Sequence, residues 1–489
     1  MAFLTDDDYN AQINGDDLDV VIQSDSATRE KAETMGIAQM SGYLRQRFDV
    51  AVIFDEEETR DELIIMYLID IVLYHLYSSL PNRLGLELRR TRYDDALRWL
   101  EDVAKGKITP GLPLVDASSV DPSIEKARKI NPDPSTNPAQ TLEQYYDFID
   151  WAAKAMPWML LPKLSYSMLY DRIDQGLAYF YFINDQPLDE LNGKGYYRNT
   201  IQYHEPYRTW LLNFVKDWGI FLSTKDSWND EYYRMALGDE RFGLGKGWYE
   251  GPSNWKSFND FFSRRLSSPA MRPVAAPDDP SVVSSPGDSK PFGVFEIDKN
   301  SNIAGGKGVQ IKSKSYESVA LLLGPDNPYK NAFAGGTMTF AYLDEYDYHR
   351  CHFPVSGTIK EARIIKGGAS SGGVTTWDAK SKRYVFDPGN PGWQSLETRG
   401  CIIVETENAG LVALFPVGMS QMASVMFEDN IKAGNKIKKG DKLCYYLFGG
   451  SGFVMLFQKE AGFRLTAPAN EDGSYRHILA GEEYGRTGK

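Results

Sequence analysis

Residues 448–457 read FGGSGFVMLF: a glycine-rich bend carrying one serine, then five apolar residues in a row. The apolar run reads as a strand, and the glycines before it place conformational freedom at its entrance. Such a bend is a loose hairpin tip, a turn that presents the Ser451 hydroxyl, or a bond built to be broken. It is not the G-x-S-x-G elbow of serine hydrolases, because the glycine spacing differs and no helical pattern follows.

Working outward, the run is one of a series. GTMTFAYL (336–343), GTIKEARII (357–365), CIIVETE (401–407), LVALFPVG (411–418) and KLCYYLF (442–448) are short β-type segments separated by Gly, Asn and Asp. Their regular spacing predicts a β-sandwich or barrel. IKAGNKIKKGDKL (431–443) reads as a hairpin-like turn within that region. Upstream the texture is helical, as in YDDALRWLEDVAKG (93–106), TLEQYYDFIDWAAKAMPWMLL (141–161) and YRTWLLNFVKDWGIFLSTKDSW (207–228). The fold class expected is therefore α+β, with a helical amino-terminal half and a β-sandwich- or barrel-like domain after it.

Two proline clusters punctuate the chain, at 110–138 and at 268–285. The first predicts a linker or irregular crossing rather than a core element. Residues 1–25 are acidic and weakly patterned, which predicts fraying. LIIMYLIDIVLYHLYSSL (63–80) is the most apolar stretch, but Asp70 and His75 interrupt it, and a buried helix is the better reading than a membrane span.

With 54 basic against 67 acidic side chains, the net charge of −13 leaves no basic face for a phosphate backbone, so a nucleic-acid partner is excluded. Cys351, Cys401 and Cys444 form neither a disulfide framework nor a CxxC pair, and a reducing compartment is expected. MAFLTDDDYN carries acids where a signal peptide needs positive charge, so a cytoplasmic location is expected.

Five histidines occur, and two of them, His349 and His352, fall in DEYDYHRCHFPVSGTI (344–359). If that segment turns, both imidazoles face one site and can move protons near neutral pH. His349, Cys351 and His352 match no common zinc spacing, so no metal is expected. Asp288 in SSPGDS (284–289) is by itself a turn-former. Together Ser451, a histidine and Asp288 make up the set needed to activate a hydroxyl.

FNDFFSRRLSSPAMRPV (258–274), the Asp288 turn, DYHRCHFPVSGTI (347–359), FPVGMSQMASV (415–425), IKAGNKIKKGDKL and FGGSGFVMLF occur in the order found in phosphatidylserine decarboxylases, which this sequence resembles over roughly 257–460. DWGIFLSTKDSW (217–228) and its surrounding helices resemble a subgroup that includes fungal L-tryptophan decarboxylases. The resemblance implies a self-made pyruvoyl cofactor and no pyridoxal phosphate. Ser451 attacks the Gly450 carbonyl, His352 is the base, Asp288 orients it, and His349 donates a proton to the carbanion. Cleavage between Gly450 and Ser451 turns a zymogen into large and small chains that stay associated, and the pyruvoyl ketone then holds the substrate amine as a Schiff base.

The domains expected are 1–130, mainly helical and of unknown role; 131–267, helical and similar to the subgroup's amino-terminal domain; and 268–489, the catalytic domain. The function expected is decarboxylation of a free, aromatic, tryptophan-like L-amino acid, without membrane association. The alternatives are phosphatidylserine decarboxylation to phosphatidylethanolamine and an uncleaved, non-catalytic relative. Two letters depart from the family pattern: Gly452 stands where a hydroxyl residue is usual, and Ser289 follows Asp288 where the lipid decarboxylases usually show glycine.

Overall fold

In the computed structural model, the structure describes residues 3–488 apart from 23–24, 46, 56–59, 80–85, 114–120, 162–165, 192–198, 304–309, 312–313, 316–317, 371, 373, 388–392 and 420–423. Parts of the first proline cluster (114–120) and of FPVGMSQMASV (420–423) thus lie outside the described residues. The chain divides into two compact units, Met1–Val120 and Asp121–Lys489.

The first unit is helical. Its long helices are Ser26–Leu44, Glu62–Ser78 and Leu86–Ala104. Asp61 caps Glu62–Ser78, accepting from the amides of Leu63 and Ile64. Ile64, Leu68, Ile71, Val72 and Leu73 of that helix are buried in the unit's core. Among the described residues no helix is long and apolar enough to cross a membrane. The expectation of a frayed start is corrected: Asp6–Asn10 and Gly15–Val21 are helices, the first closed by a capping box on Thr5. Sparse apolar residues at Phe3, Leu4, Tyr9, Leu18 and Val21 are enough to tie this acidic segment down.

The boundary between the units falls inside the first proline cluster, as a linker there would have it, but the part in the second unit is corrected. Pro122–Ile130 is a helix with Pro122 in its first turn, where no amide partner is lost, and Asp121 capping it. Ile124 and Ala127 belong to the unit's core. Helices Leu142–Ala152, Leu169–Asn184, Tyr207–Leu222 and Phe258–Phe262 follow.

The β region centres on a seven-stranded antiparallel sheet. Its order is Lys436–Ile437, Gly357–Ile365, Thr398–Glu405, Leu411–Met419, Gly450–Phe457, Thr337–Leu343 and Lys290–Glu296. Every residue of Gly450–Phe457 is buried. Side chains alternate across a strand, so Phe453, Met455 and Phe457 enter one core while Val454 and Leu456 enter another on the opposite face. The unbroken apolar run is thus the signature of a sheet covered on both sides.

A three-stranded sheet joins Met426–Phe427, Lys442–Tyr445 and Arg350–His352. The hairpin expected at 431–443 does not form, because Lys436–Ile437 and Lys442–Tyr445 pair into different sheets. Its turn is instead tied to Phe353, whose carbonyl accepts from the Gly440 amide at 2.8 Å.

Candidate active site

The bend before the 450–457 strand is built for glycine. Gly449 has φ +150°, a region that side chains rarely adopt. Gly450 and Ser451 then enter the sheet, with Ser451 in register with Gly418 on one side and Leu343 on the other. The Phe448 amide donates to Asn259 Oδ1 at 2.9 Å, and the Phe448 ring meets Phe258 and Phe262 edge-on. FNDFF therefore packs directly over the bend.

His349 Nδ1 lies 3.2 Å from Ser451 Oγ, and both residues are fully buried. The imidazole stacks on Phe262 with ring centroids 3.8 Å apart, and its Nε2 has no hydrogen-bond partner. Burial, helped by the Arg264 guanidinium, pushes its pKa down to about 3, against the backbone carbonyls of Glu345 and Asp344. The ring is thus neutral and weakly basic, and in the tautomer with a bare Nδ1 it accepts a hydrogen bond from the serine hydroxyl.

His352, the expected base, stands apart from the Ser451 hydroxyl and has other partners. Arg350–His352 is a strand, so residues 349 and 352 differ in parity and their side chains leave on opposite faces. His352 Nδ1 lies 2.8 Å from the Gly440 carbonyl, and Nε2 lies 3.3 Å from the Tyr348 hydroxyl. Asp288 does not hydrogen-bond either histidine. Its carboxylate takes two bonds from Arg272, at 2.8 and 2.5 Å, and one from the Ala480 amide at 2.9 Å. It remains near enough to His352 to favour the charged imidazole, although burial dominates and lowers that pKa. The His352 amide donates to Pro286 in the same turn. Asp288 and Arg272 thus lock the turn that holds His352.

The neutral, buried state of His349 has a consequence for stability. The unfolded imidazole titrates near ~6.5 and the folded one near 3. Its contribution is present in full above the unfolded value and is lost as pH falls through the window between the two, because only the unfolded chain binds the proton. The loss is roughly 1.4 kcal/mol per pH unit. In chains carrying Ser451→Ala, denaturant unfolding at pH 7 and pH 5 should show a smaller pH dependence when His349→Gln is added. An unchanged slope would contradict the assignment.

Gly452 also has a packing reason. A Cβ there would sit 2.6 Å from Phe340 Cε2, and Phe340 is buried edge-on against Trp393. Gly452→Ser is expected to cost about 1–3 kcal/mol through overpacking. Thermal unfolding should show the loss and its recovery on adding Phe340→Leu.

One cavity reaches the bend, and a second adjoins it through shared residues. An inner one of about 150 Å³ has Gly450 in its wall, with Asp174, Asp344 and Glu345. An outer one of about 300 Å³ shares Tyr342, Asp344 and Phe386 with it and adds Phe292, Phe340 and Tyr475. A third, of about 770 Å³, carries Lys225, Lys256, Arg265 and Arg350 but none of residues 448–452. The sequence reading missed Asp344 and Glu345, although both lie in the acidic run just before His349. It also missed Phe262 and Arg272, which no local pattern marks.

Residues 258–486, which hold the bend, both histidines and Asp288, match the family model for phosphatidylserine decarboxylase. Over these residues the chain is similar to the phosphatidylserine decarboxylase family. Phosphatidylserine decarboxylases are carboxy-lyases. The decarboxylase iboD of Amanita muscaria is 28% identical over 282 residues, covering 52% of this chain and 78% of that protein. The phosphatidylserine decarboxylase proenzyme of Fusobacterium nucleatum is 27% identical over 268 residues, covering 53% and 79%. For proenzyme 2 of Oryza sativa the values are 29% over 208 residues, 42% of this chain and 30% of that protein, so the match spans under a third of that relative. Residues 1–125 match a different family model, that of bacteriophage Mu Gp36.

Proposed function

We propose that this chain is a pyruvoyl-dependent decarboxylase of a free L-amino acid, matured by its own cleavage between Gly450 and Ser451. The observation that carries the reading is His349 Nδ1 at 3.2 Å from a buried Ser451 hydroxyl, beside a cavity walled by Gly450. The residues fit formation of the group: a nucleophile, a neutral base with an unpartnered Nε2, and a bend that only glycine accommodates well.

His349 takes the hydroxyl proton and Oγ attacks the Gly450 carbonyl carbon. The C–O bond forms, the C–N bond to Ser451 breaks, and the nitrogen takes up a proton, leaving an ester. Loss of the Ser451 Cα proton expels the Gly450 carboxylate and leaves a carbon–carbon double bond at 451. Water then replaces the nitrogen, ammonia departs and a ketone remains. The pyruvoyl group so formed supplies an electron sink for an amino acid held through its amine, which is why pyridoxal phosphate is not required. Burial keeps His349 neutral, which leaves a ring nitrogen free to accept a proton while lowering its basicity.

The products 1–450 and 451–489 are proposed to stay together, since the 450–457 strand is paired on both edges. A cytoplasmic location is proposed from three buried, unpaired cysteines. A second reading, phosphatidylserine decarboxylation, is favoured by the names of the proenzyme relatives. Carbon dioxide release from carboxyl-labelled free amino acids and from phosphatidylserine vesicles tests both. Release from vesicles alone would overturn the free-amino-acid reading.

A further inference from the structure

The inner cavity is unusual in its charge. Three carboxyl groups, Asp174, Asp344 and Glu345, line it, and no Lys, Arg or His does. Glu345 is 9% exposed and has no hydrogen-bonded side-chain or cationic partner among the described residues; its own backbone amide is what faces the carboxyl. Asp344 is held by the Tyr346 hydroxyl at 3.1 Å, and Asp174 by Gln175 at 2.9 Å with Arg383 at 3.5 Å. Lys290 stands in the outer cavity, and His477 is paired with Asp347 outside both. Arg383 thus acts on Asp174, and His477 and Lys290 on Asp344, whereas no cation acts on Glu345; burial dominates and raises the pKa of all three carboxyl groups. Burying a carboxyl group without a counter-charge is costly, and a ligand cation offsets that cost. Tyr170, Tyr181 and Phe386 add aromatic faces of the kind that attract organic cations.

We infer that the inner cavity receives a positively charged side chain, so that the preferred substrate is an amino acid bearing a second ammonium group rather than a neutral aromatic one or a phospholipid. This rests on the decarboxylase reading for its chemistry but not for its binding. A cavity on the order of 150 Å³ holds benzene, which is about the bulk of a four-carbon ammonium chain. A phosphate would meet three acids there.

Two measurements separate the inference from the reading beneath it. In the full chain carrying Ser451→Ala, which has no ketone to form, calorimetry compares pentylamine with 1-pentanol. The amine should bind at least tenfold tighter, and Glu345→Gln should abolish that advantage while leaving pentanol unchanged. Equal binding of the two, or binding of neither, would overturn the inference whatever the enzyme turns over. In the unsubstituted chain, kcat/KM for carbon dioxide release should favour L-lysine or L-ornithine over L-norleucine and L-tryptophan by at least tenfold. Preference for norleucine or tryptophan would sink the charge argument and leave the decarboxylase standing. An intact chain that releases nothing from any amino acid would sink the decarboxylase reading, and the amine binding would still decide the cavity.

Discussion

Ser451→Ala leaves a single uncleaved chain that releases no carbon dioxide from any amino acid. The expectation follows from the chemistry of the bend, because alanine has no oxygen to attack the Gly450 carbonyl and no route to a ketone at 451. The substitution should be well tolerated by the fold. Ser451 is fully buried, and its side-chain partner is His349, whose Nδ1 would lose one neutral hydrogen bond. That loss is about 1 kcal/mol. Electrophoresis under denaturing conditions checks cleavage, and labelled-substrate assays check activity. Normal turnover by the alanine variant would dismiss the pyruvoyl mechanism.

The second large effect separates the histidines. His349→Ala is expected to slow self-cleavage by about 10²–10⁴-fold, the usual worth of a positioned base. His352→Ala should act through the Gly440 and Tyr348 contacts that it loses, with a smaller effect on cleavage and a visible one on thermal stability. The time course of cleavage after synthesis, followed for both variants, measures this directly. A larger defect for His352→Ala would return the base role to that residue. A weak dependence of the cleavage rate on pH between 5 and 8 is also expected, since a group with a pKa near 3 stays neutral throughout.

The histidines also mark where the sequence stopped being informative. The order of texture, helices before strands, was readable from periodicity, and the buried strand announced itself as FVMLF. The parts of the site were readable as well, because Ser451, Asp288 and the two histidines sit in distinctive words. Their geometry was not. Whether residues 349 and 352 share a face depends on whether that segment is extended, and pairing with Lys442–Tyr445 decides it. Asp288 looked like an orienting acid, but Arg272, inside a proline cluster, claims its carboxylate at 2.5 Å. Asp174 and Glu345 are far apart in the chain and meet only where helix Leu169–Asn184 crosses the end of strand Thr337–Leu343. Proline content misled in the other direction, since Pro122 begins a core helix at a position where proline costs nothing.

Intact-mass analysis of the purified, unsubstituted chain is the most direct test of self-cleavage at Gly450–Ser451. The account predicts two species, residues 1–450 and residues 451–489. The second should be lighter than a serine-initiated peptide by the change from serine to pyruvoyl and should resist amino-terminal sequencing. A single full-length mass after prolonged incubation would contradict it.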